Sequence, residues 1–286
     1  MSLFLSLLPL IAQIGPFSTP GVGPGPKIPQ GVERPARSRP EALPAPLPAP
    51  RADDGLCPGG AEATPAEAVE LASNMVAAAR ADAIGQGQMC LGLAYVRGAQ
   101  WDLAEEAFLA ARDSAGSARL PRARYGAMAG NAALAGNAPF KALSELEAAA
   151  EDARGAAEPA LLAGIAVDRA RALVALKREA EAATALTEAT SADPANAEAW
   201  LLGATLARRQ GKLDEAQRQI EKAADLAPLD PDIGLEAGVI AALSGRDEAA
   251  RKSWQSVIGA APASAQAGKA KAYLEQLGPL PAASGK

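Results

Sequence analysis

The sequence predicts an all-α fold: a solenoid of stacked helix–turn–helix repeats, led by an extended proline-rich segment. Three observations carry that reading. Alanine, the strongest helix former, runs through the chain while aromatic residues make up only 3%, so helices can approach closely on small side chains. Pro194, Pro228 and Pro262 recur at intervals of 34 residues, a period that belongs to stacked helix pairs. And 11 of the 23 prolines crowd into residues 16–50, where neither helix nor sheet ladder can form.

The chain opens with MSLFLSLLPLIAQIG, residues 1–15. Its apolar run is too short to span a bilayer, which takes about 20 residues. It has the form of the apolar region of a secretory signal, with Ala12 as a cleavage position, although no Lys or Arg precedes it. It predicts a periplasmic or secreted protein; without export the chain would be cytoplasmic. No cysteine follows within reach of Ala12, which argues against a lipoprotein. Residues 16–60 form the second segment. Over 16–50 it holds four Lys/Arg against two Asp/Glu, whereas residues 51–286 hold 24 against 31. Too few apolar side chains remain there for a core, so a disordered, extended linker free of the solenoid is expected. GVGPGPK lacks both the spacing and the strand–loop–helix setting of a phosphate loop.

Beyond the linker the period takes over. Ahead of the three prolines lie Ala182, Ala216 and Ala250, then Leu186, Ile220 and Trp254, then Ala189, Ala223 and Val257. Small, large and small at i, i+4 and i+7 mark one face of a helix. Gly211 and Gly245 fall where the paired helices turn, a place that favours positive φ. Each proline is expected to end one pair and open the next near its first turn, where a missing N–H costs little.

The stretch DPANAEAWLLGATLARRQGKLDEAQRQIEKAADLAP resembles the tetratricopeptide repeat (TPR) family, with Trp200, Gly211, Ala216, Ile220, Ala223 and Pro228 on signature positions. Two weaker units precede it. One supplies Gly92, Tyr95, Ala104, Phe108 and Ala111; the next supplies Gly130, Ala142, Leu146 and Ala149. Gly92 to Gly130 is 38 residues and Gly130 to Ala170 is 40, so their connecting loops are longer. The third unit has Lys177 in place of a turn glycine. The resemblance implies a right-handed solenoid of five TPR-like repeats over 85–118, 123–156, 163–196, 197–230 and 231–264. A capping helix is expected within 61–84 and a closing helix over 265–279, the latter covering the last repeat with Ala270, Tyr273, Leu274 and Leu277. A disordered tail, 280–286, follows.

Nothing in the composition equips an enzyme. Histidine is absent and Cys57 and Cys90 are the only thiols, which removes the usual general base and most zinc sites. No cofactor or metal site is expected. LDPDIGLE, 229–236, lacks the ligand spacing of a calcium loop. A net charge of −5 gives nucleic-acid binding no support. The remaining carboxylates read as solvated helix faces. Cys57 and Cys90 are expected to form a disulfide in an oxidising compartment, pinning the capping helix to the first repeat.

The resemblance further implies a concave groove lined by the first helix of each repeat. Its inward positions are Met89, Leu93, Val96, Arg97, Arg124, Asn131, Leu134, Val167, Arg171, Val174, Leu201, Thr205, Arg208, Leu235 and Val239. Apolar residues with several arginines suit a peptide carrying some acidic groups, and Arg171 and Arg208 are expected to hold them. The same spacing serves equally for packing between helices, with arginines lying along apolar surface. A clamp for a chaperone's terminal carboxylate is not expected: Met89 and Leu93 stand where such repeats carry Lys and Asn, and one repeat later Ala127, Asn131 and Asp168 match only once. The function expected is a protein–protein scaffold that takes a peptide or protein segment in the groove, in the cell envelope. The alternatives are an assembly subunit without a transient ligand, or a regulatory module binding a small molecule.

Overall fold

The computed structural model describes residues 57–60, 62–80 and 83–278. The signal-like start, nearly all of the proline-rich segment and the 280–286 tail lie outside the described residues. Within them are twelve helices: α1 Pro65–Ala78, α2 Ile84–Arg97, α3 Trp101–Ser114, α4 Arg119–Ala135, α5 Pro139–Ala156, α6 Pro159–Ala175, α7 Glu179–Ala192, α8 Ala197–Arg209, α9 Leu213–Leu226, α10 Pro231–Leu243, α11 Asp247–Ala260 and α12 Ala265–Leu277. α2/α3, α4/α5, α6/α7, α8/α9 and α10/α11 pack as successive hairpins, α1 lies on α2, and α12 closes against α11 and α10. No helix of the described residues is long and apolar enough to cross a membrane.

Every hairpin turn is built alike. Ala99, Asn137, Lys177, Gly211 and Gly245 all have φ between 52° and 76°. The N–H of the following residue bonds back five positions, from Gln100 to Tyr95, Ala138 to Ala133, Arg178 to Leu173, Lys212 to Ala207 and Arg246 to Ala241. This is the paired C-terminal motif that satisfies orphan helix carbonyls. Lys177 therefore makes the same turn as the glycines. Three of the five positions tolerate a side chain in the left-handed region, at about 1–2 kcal/mol for an ordinary residue.

The junctions between hairpins differ. After α7, α9 and α11 the chain passes through β-turns closed by Asn196 N–H to Asp193, Asp230 to Ala227 and Ser264 to Ala261. Pro194, Pro228 and Pro262 each occupy the second place of such a turn, which suits their fixed φ, and they drive the residue before them out of the helix. The prolines, expected to end one pair and open the next near its first turn, each lie three residues ahead of the next helix. Two residues after each proline stands the N-cap: Asn196 accepts from Ala199 N–H, Asp230 from Asp232 and Ile233, and Ser264 from Ala267. The Trp200 indole N–H fixes the first junction by donating to the Pro194 carbonyl at 2.9 Å. After α3 and α5 no proline intervenes, and Gly116 and Ala157 take positive φ there instead.

The core is an alanine seam with a matched exchange of volume. Ala104, Ala142, Ala182, Ala216 and Ala250 are each fully buried, one on each second helix. Four residues on, Phe108, Leu146, Leu186, Ile220 and Trp254 reach into the first helix of their own hairpin. There Phe108, Leu146 and Trp254 meet Gly92, Gly130 and Gly238, while Leu186 and Ile220 share their core clusters with Ala170 and Ala204, the residues at the equivalent positions. The largest side chains face glycines: a Cβ on Gly92 would come within 2.4 Å of the Phe108 ring, and one on Gly238 within 2.1 Å of Trp254 Nε1. The indole cannot yield, being fully buried, bonded to the Leu235 carbonyl at 3.2 Å, and packed on Tyr273 with ring centres 5.3 Å apart. Gly238→Ala is therefore expected to destabilise the C-terminal hairpin by about 1–3 kcal/mol despite alanine's helix propensity. Gly268→Ala, where an added Cβ meets open space, is expected to stabilise by about 0.5–1 kcal/mol. Thermal melts of the two variants should move in opposite directions, and a shared direction would refute the volume-matching account.

Candidate functional site

α4 approaches α6, α6 approaches α8, α8 approaches α10 and α10 approaches α12, while the second helices of successive hairpins make no comparable approach. The first helices therefore line the inner, concave side. α2 and α4 stand farther apart than the later neighbours.

The residues expected in the groove divide by burial. Met89, Val96, Asn131, Leu134, Thr205, Arg208, Leu235 and Val239 are partly exposed, and Arg97 and Arg124 exposed. Leu93, Val167, Arg171, Val174 and Leu201 are buried, packed between helices. α6 thus offers none of its expected positions to a partner. The partly exposed apolar residues form one group on α2 and α4 and another on α10.

The arginines are mostly spent within the solenoid. Buried Arg171 pairs with Asp168 of its own helix at 2.5 Å and with Glu198 of α8. Asn131 of α4 donates to Asp168 from the other side. One polar chain thus links α4, α6 and α8 across three repeats. Arg208 pairs with Glu236 of α10 at 2.6 Å, and Gln266 of α12 donates to Asp232 at 2.7 Å. Thr205 donates to the Leu201 carbonyl within α8 at 3.0 Å. The expectation that Arg171 and Arg208 hold a partner's acidic groups is accordingly corrected: their guanidinium groups bridge neighbouring repeats. Glu198 and Glu236 are the groove residues that sequence reasoning missed, and Asp168, read there only as a mismatch to the carboxylate clamp, is their counterpart on α6. Their arginine partners lie 27 or 28 residues away or on the same helix, off the 34-residue beat, and only the superhelical offset brings them together.

Burial dominates the electrostatics here. Loss of water pushes the Asp168 carboxyl above its ordinary value, against the opposing pull of Arg171 and the Asn131 hydrogen bond. Glu198 is raised for the same reason, again against Arg171. Two carboxylates sharing one buried arginine are held ionised at a cost, which the pairing offsets only in part.

At the N-terminal end, Cys57 and Cys90 are joined by a disulfide with Cα atoms 5.5 Å apart. Both cysteines are buried. Arg97 donates to the carbonyls of Gly60 and Ala63, so the segment ahead of α1 is tied to α2 both covalently and by its terminal arginine. Two surface cavities, of about 20 and 60 Å³, lie far below the roughly 300 Å³ at which small-molecule sites begin.

The class that this architecture defines is the helical-repeat solenoid. No protein-family model matches the chain, and no curated protein matches it in sequence. Solved structures do match it. PilW, described as a widely conserved type IV pilus biogenesis factor, aligns at 16% identity over 73% of this chain and 90% of its own, with a TM-score of 0.58. PilF of Pseudomonas aeruginosa aligns at 14% identity over 75% and 99%, with a TM-score of 0.54. YrrB, described as a TPR protein with an unusual peptide-binding site, aligns at 21% identity over 72% and 100%, with a TM-score of 0.50. At these identities the likeness concerns fold, and the fold is that of a TPR solenoid.

Proposed function

We propose that the protein is an interaction scaffold whose concave face receives a peptide or protein segment. One observation carries this: Met89, Val96, Leu134, Leu235 and Val239 remain partly exposed on the side where the first helices converge, although the chain buries comparable residues elsewhere. Partly exposed apolar positions at both ends of the concave face are what a docked segment would cover. A photo-crosslinking residue placed at Leu134 or Val239 in the native host should capture a partner, and one at exposed Lys222 of α9 should not. Capture confined to Lys222 would refute the groove.

We also propose an envelope location. The disulfide supports it, since such bonds persist in oxidising compartments, as do the signal-like start and the shared fold with PilW. A second reading, a constitutive assembly subunit, draws on Phe140 and Leu229, which are 75% and 74% exposed. It would show as a stable oligomer on a sizing column at every concentration.

A further inference from the structure

We propose that residues 42–50 of the chain itself, ALPAPLPAP, lie along the seam between α2 and α4 and hold that part of the concave face until a partner displaces them. This rests on the groove reading above and concerns how the same site is regulated. The later inner seams are bridged by polar pairs: Asn131 with Asp168, Arg171 with Glu198, Arg208 with Glu236 and Gln266 with Asp232. α2 and α4 carry no Asp or Glu, so no ion pair can join them. Methionines stand there instead. Met75, Met89 and Met128, all the methionines of the described residues, pack on the cluster around Cys57, Cys90 and Leu93 and stay partly exposed. Met128 lies on the stripe of Arg124, Asn131 and Ala135, and Met89 on that of Leu93 and Val96, so both belong to the inner side. Thioethers re-pack around what they meet, which suits a seam that is filled and emptied.

The occupant follows from where the chain enters. Ala68, the fourth residue of α1, is buried like the fourth residues of α3, α5, α7, α9 and α11, and α1 packs on α2 as α3 does on α4. α1 is thus a second helix without a first among the described residues. Cys57, Pro58 and Gly60 take that place, sharing a small cavity with Ala68, Ala72 and Leu93, so the chain arrives in the row of inner helices. The Cα atoms of Cys57 and Cys90 are 5.5 Å apart, and Met89 adjoins Cys90. One further Cα step of about 3.8 Å puts the entry point within about 10 Å of that methionine. Just upstream, Asp54–Gly55 is a turn signal that can fold the chain back. Beyond it, between Arg51 and Glu41, come nine residues without a polar side chain. Their alternating prolines favour the polyproline II form, in which Pro44, Leu47 and Pro50 share one edge, and a preformed helix of this kind loses little freedom on docking. At about 3.1 Å per residue, the chain from Leu47 to Cys57 reaches about 31 Å, which covers the roughly 10 Å between packed helices. In this stretch the proposal departs from the linker free of the solenoid expected of residues 16–60.

The test uses the full oxidised chain with methyl-labelled methionine and the variant Leu43→Asp/Leu47→Asp, which puts charge into the apolar stretch. Methyl NMR should show the Met89 and Met128 signals shifted between the two proteins, with Met75 on α1 moving less. Trypsin should cut after Arg51 about fivefold faster in the variant, as expected when an effective concentration in the millimolar range acts on a contact of submillimolar affinity. Val22→Asp, in the same proline-rich segment but outside the stretch, should change neither readout. Unaltered Met89 and Met128 signals with equal cleavage would overturn the proposal. So would an equal effect of Val22→Asp, or shifts that depend on protein concentration, which would put the stretch of one copy on another. Crosslinking through Leu134 separates the two readings, and the double variant should capture more native partner than the wild type. Capture that is equal in both, without methyl shifts, sinks this inference and leaves the groove standing. Methyl shifts without capture at Leu134 or Val239 in either protein sink the groove and leave the docked stretch.

Discussion

Replacing Arg171 with alanine is expected to lower the unfolding free energy by about 3–5 kcal/mol near neutral pH, the usual consequence of removing one partner from a buried ion pair. The variant strands Asp168, which is almost wholly buried, and leaves Glu198 without its bond across the repeat boundary. The loss should shrink in mild acid. Burial already raises both carboxyls above their ordinary values beside Arg171, and without that cation they rise further. The native variant then binds protons more readily than its unfolded chain, so stability recovers as pH falls through the raised values toward the ordinary carboxylate range. Chemical denaturation of wild type and variant across that range gives the comparison. A deficit independent of pH would show that Arg171 acts through packing alone. Measured capture by an Arg171 variant would report stability as well as recognition, so that position is a poor probe of the groove.

Removing the disulfide should have an effect of similar size but a different distribution. Cross-linking residues 33 apart contributes about 3–4 kcal/mol in the loop-entropy model. Beside the bond, α1 has shallow packing on α2 and the Arg97 hydrogen bonds just ahead of it: its buried residues are Ala68 and Ala72, and Leu71 is left 41% exposed. In a stacked array each unit leans on its neighbours, so the loss should stay at the N-terminal end. Amide exchange in Cys57→Ser/Cys90→Ser is expected to accelerate strongly in α1 and the start of α2, with α6 to α9 unaffected. Unaltered protection of α1 would mean that the helix docks without the bond. Mass spectrometry of unreduced protein from its own host bears on the compartment, and two free thiols there would withdraw the main support for export.

The fold class was legible because it rests on spacing. Prolines at 34-residue intervals and the alanine–large–small triplets required no knowledge of how helices sit. The N-caps at Asn196, Asp230 and Ser264 kept the same beat and could have been read with them. The turns at Ala99 and Lys177 were less visible, since glycine is the usual sign of positive φ and these residues adopt it against their preference, whereas Asn137 is an ordinary substitute for glycine there. The groove was legible only as a set of positions. Whether Val174 is floor or core, or whether Arg208 meets a ligand or Glu236, depends on the rotation between successive hairpins. No periodicity within one repeat encodes that rotation.

The pairing of glycine with the bulkiest partner has a consequence for how such arrays can be recombined. Gly92 with Phe108 and Gly238 with Trp254 are lock-and-key sets confined to one hairpin. A chimera that exchanged only second helices would set Trp254 against Ala204, or Ile220 against Gly238, producing a collision in one product and a void in the other. The smallest portable module of this protein is thus the complete hairpin. Gene fusions that cut at the proline junctions should yield folded hybrids, and fusions that cut at the left-handed turns should not.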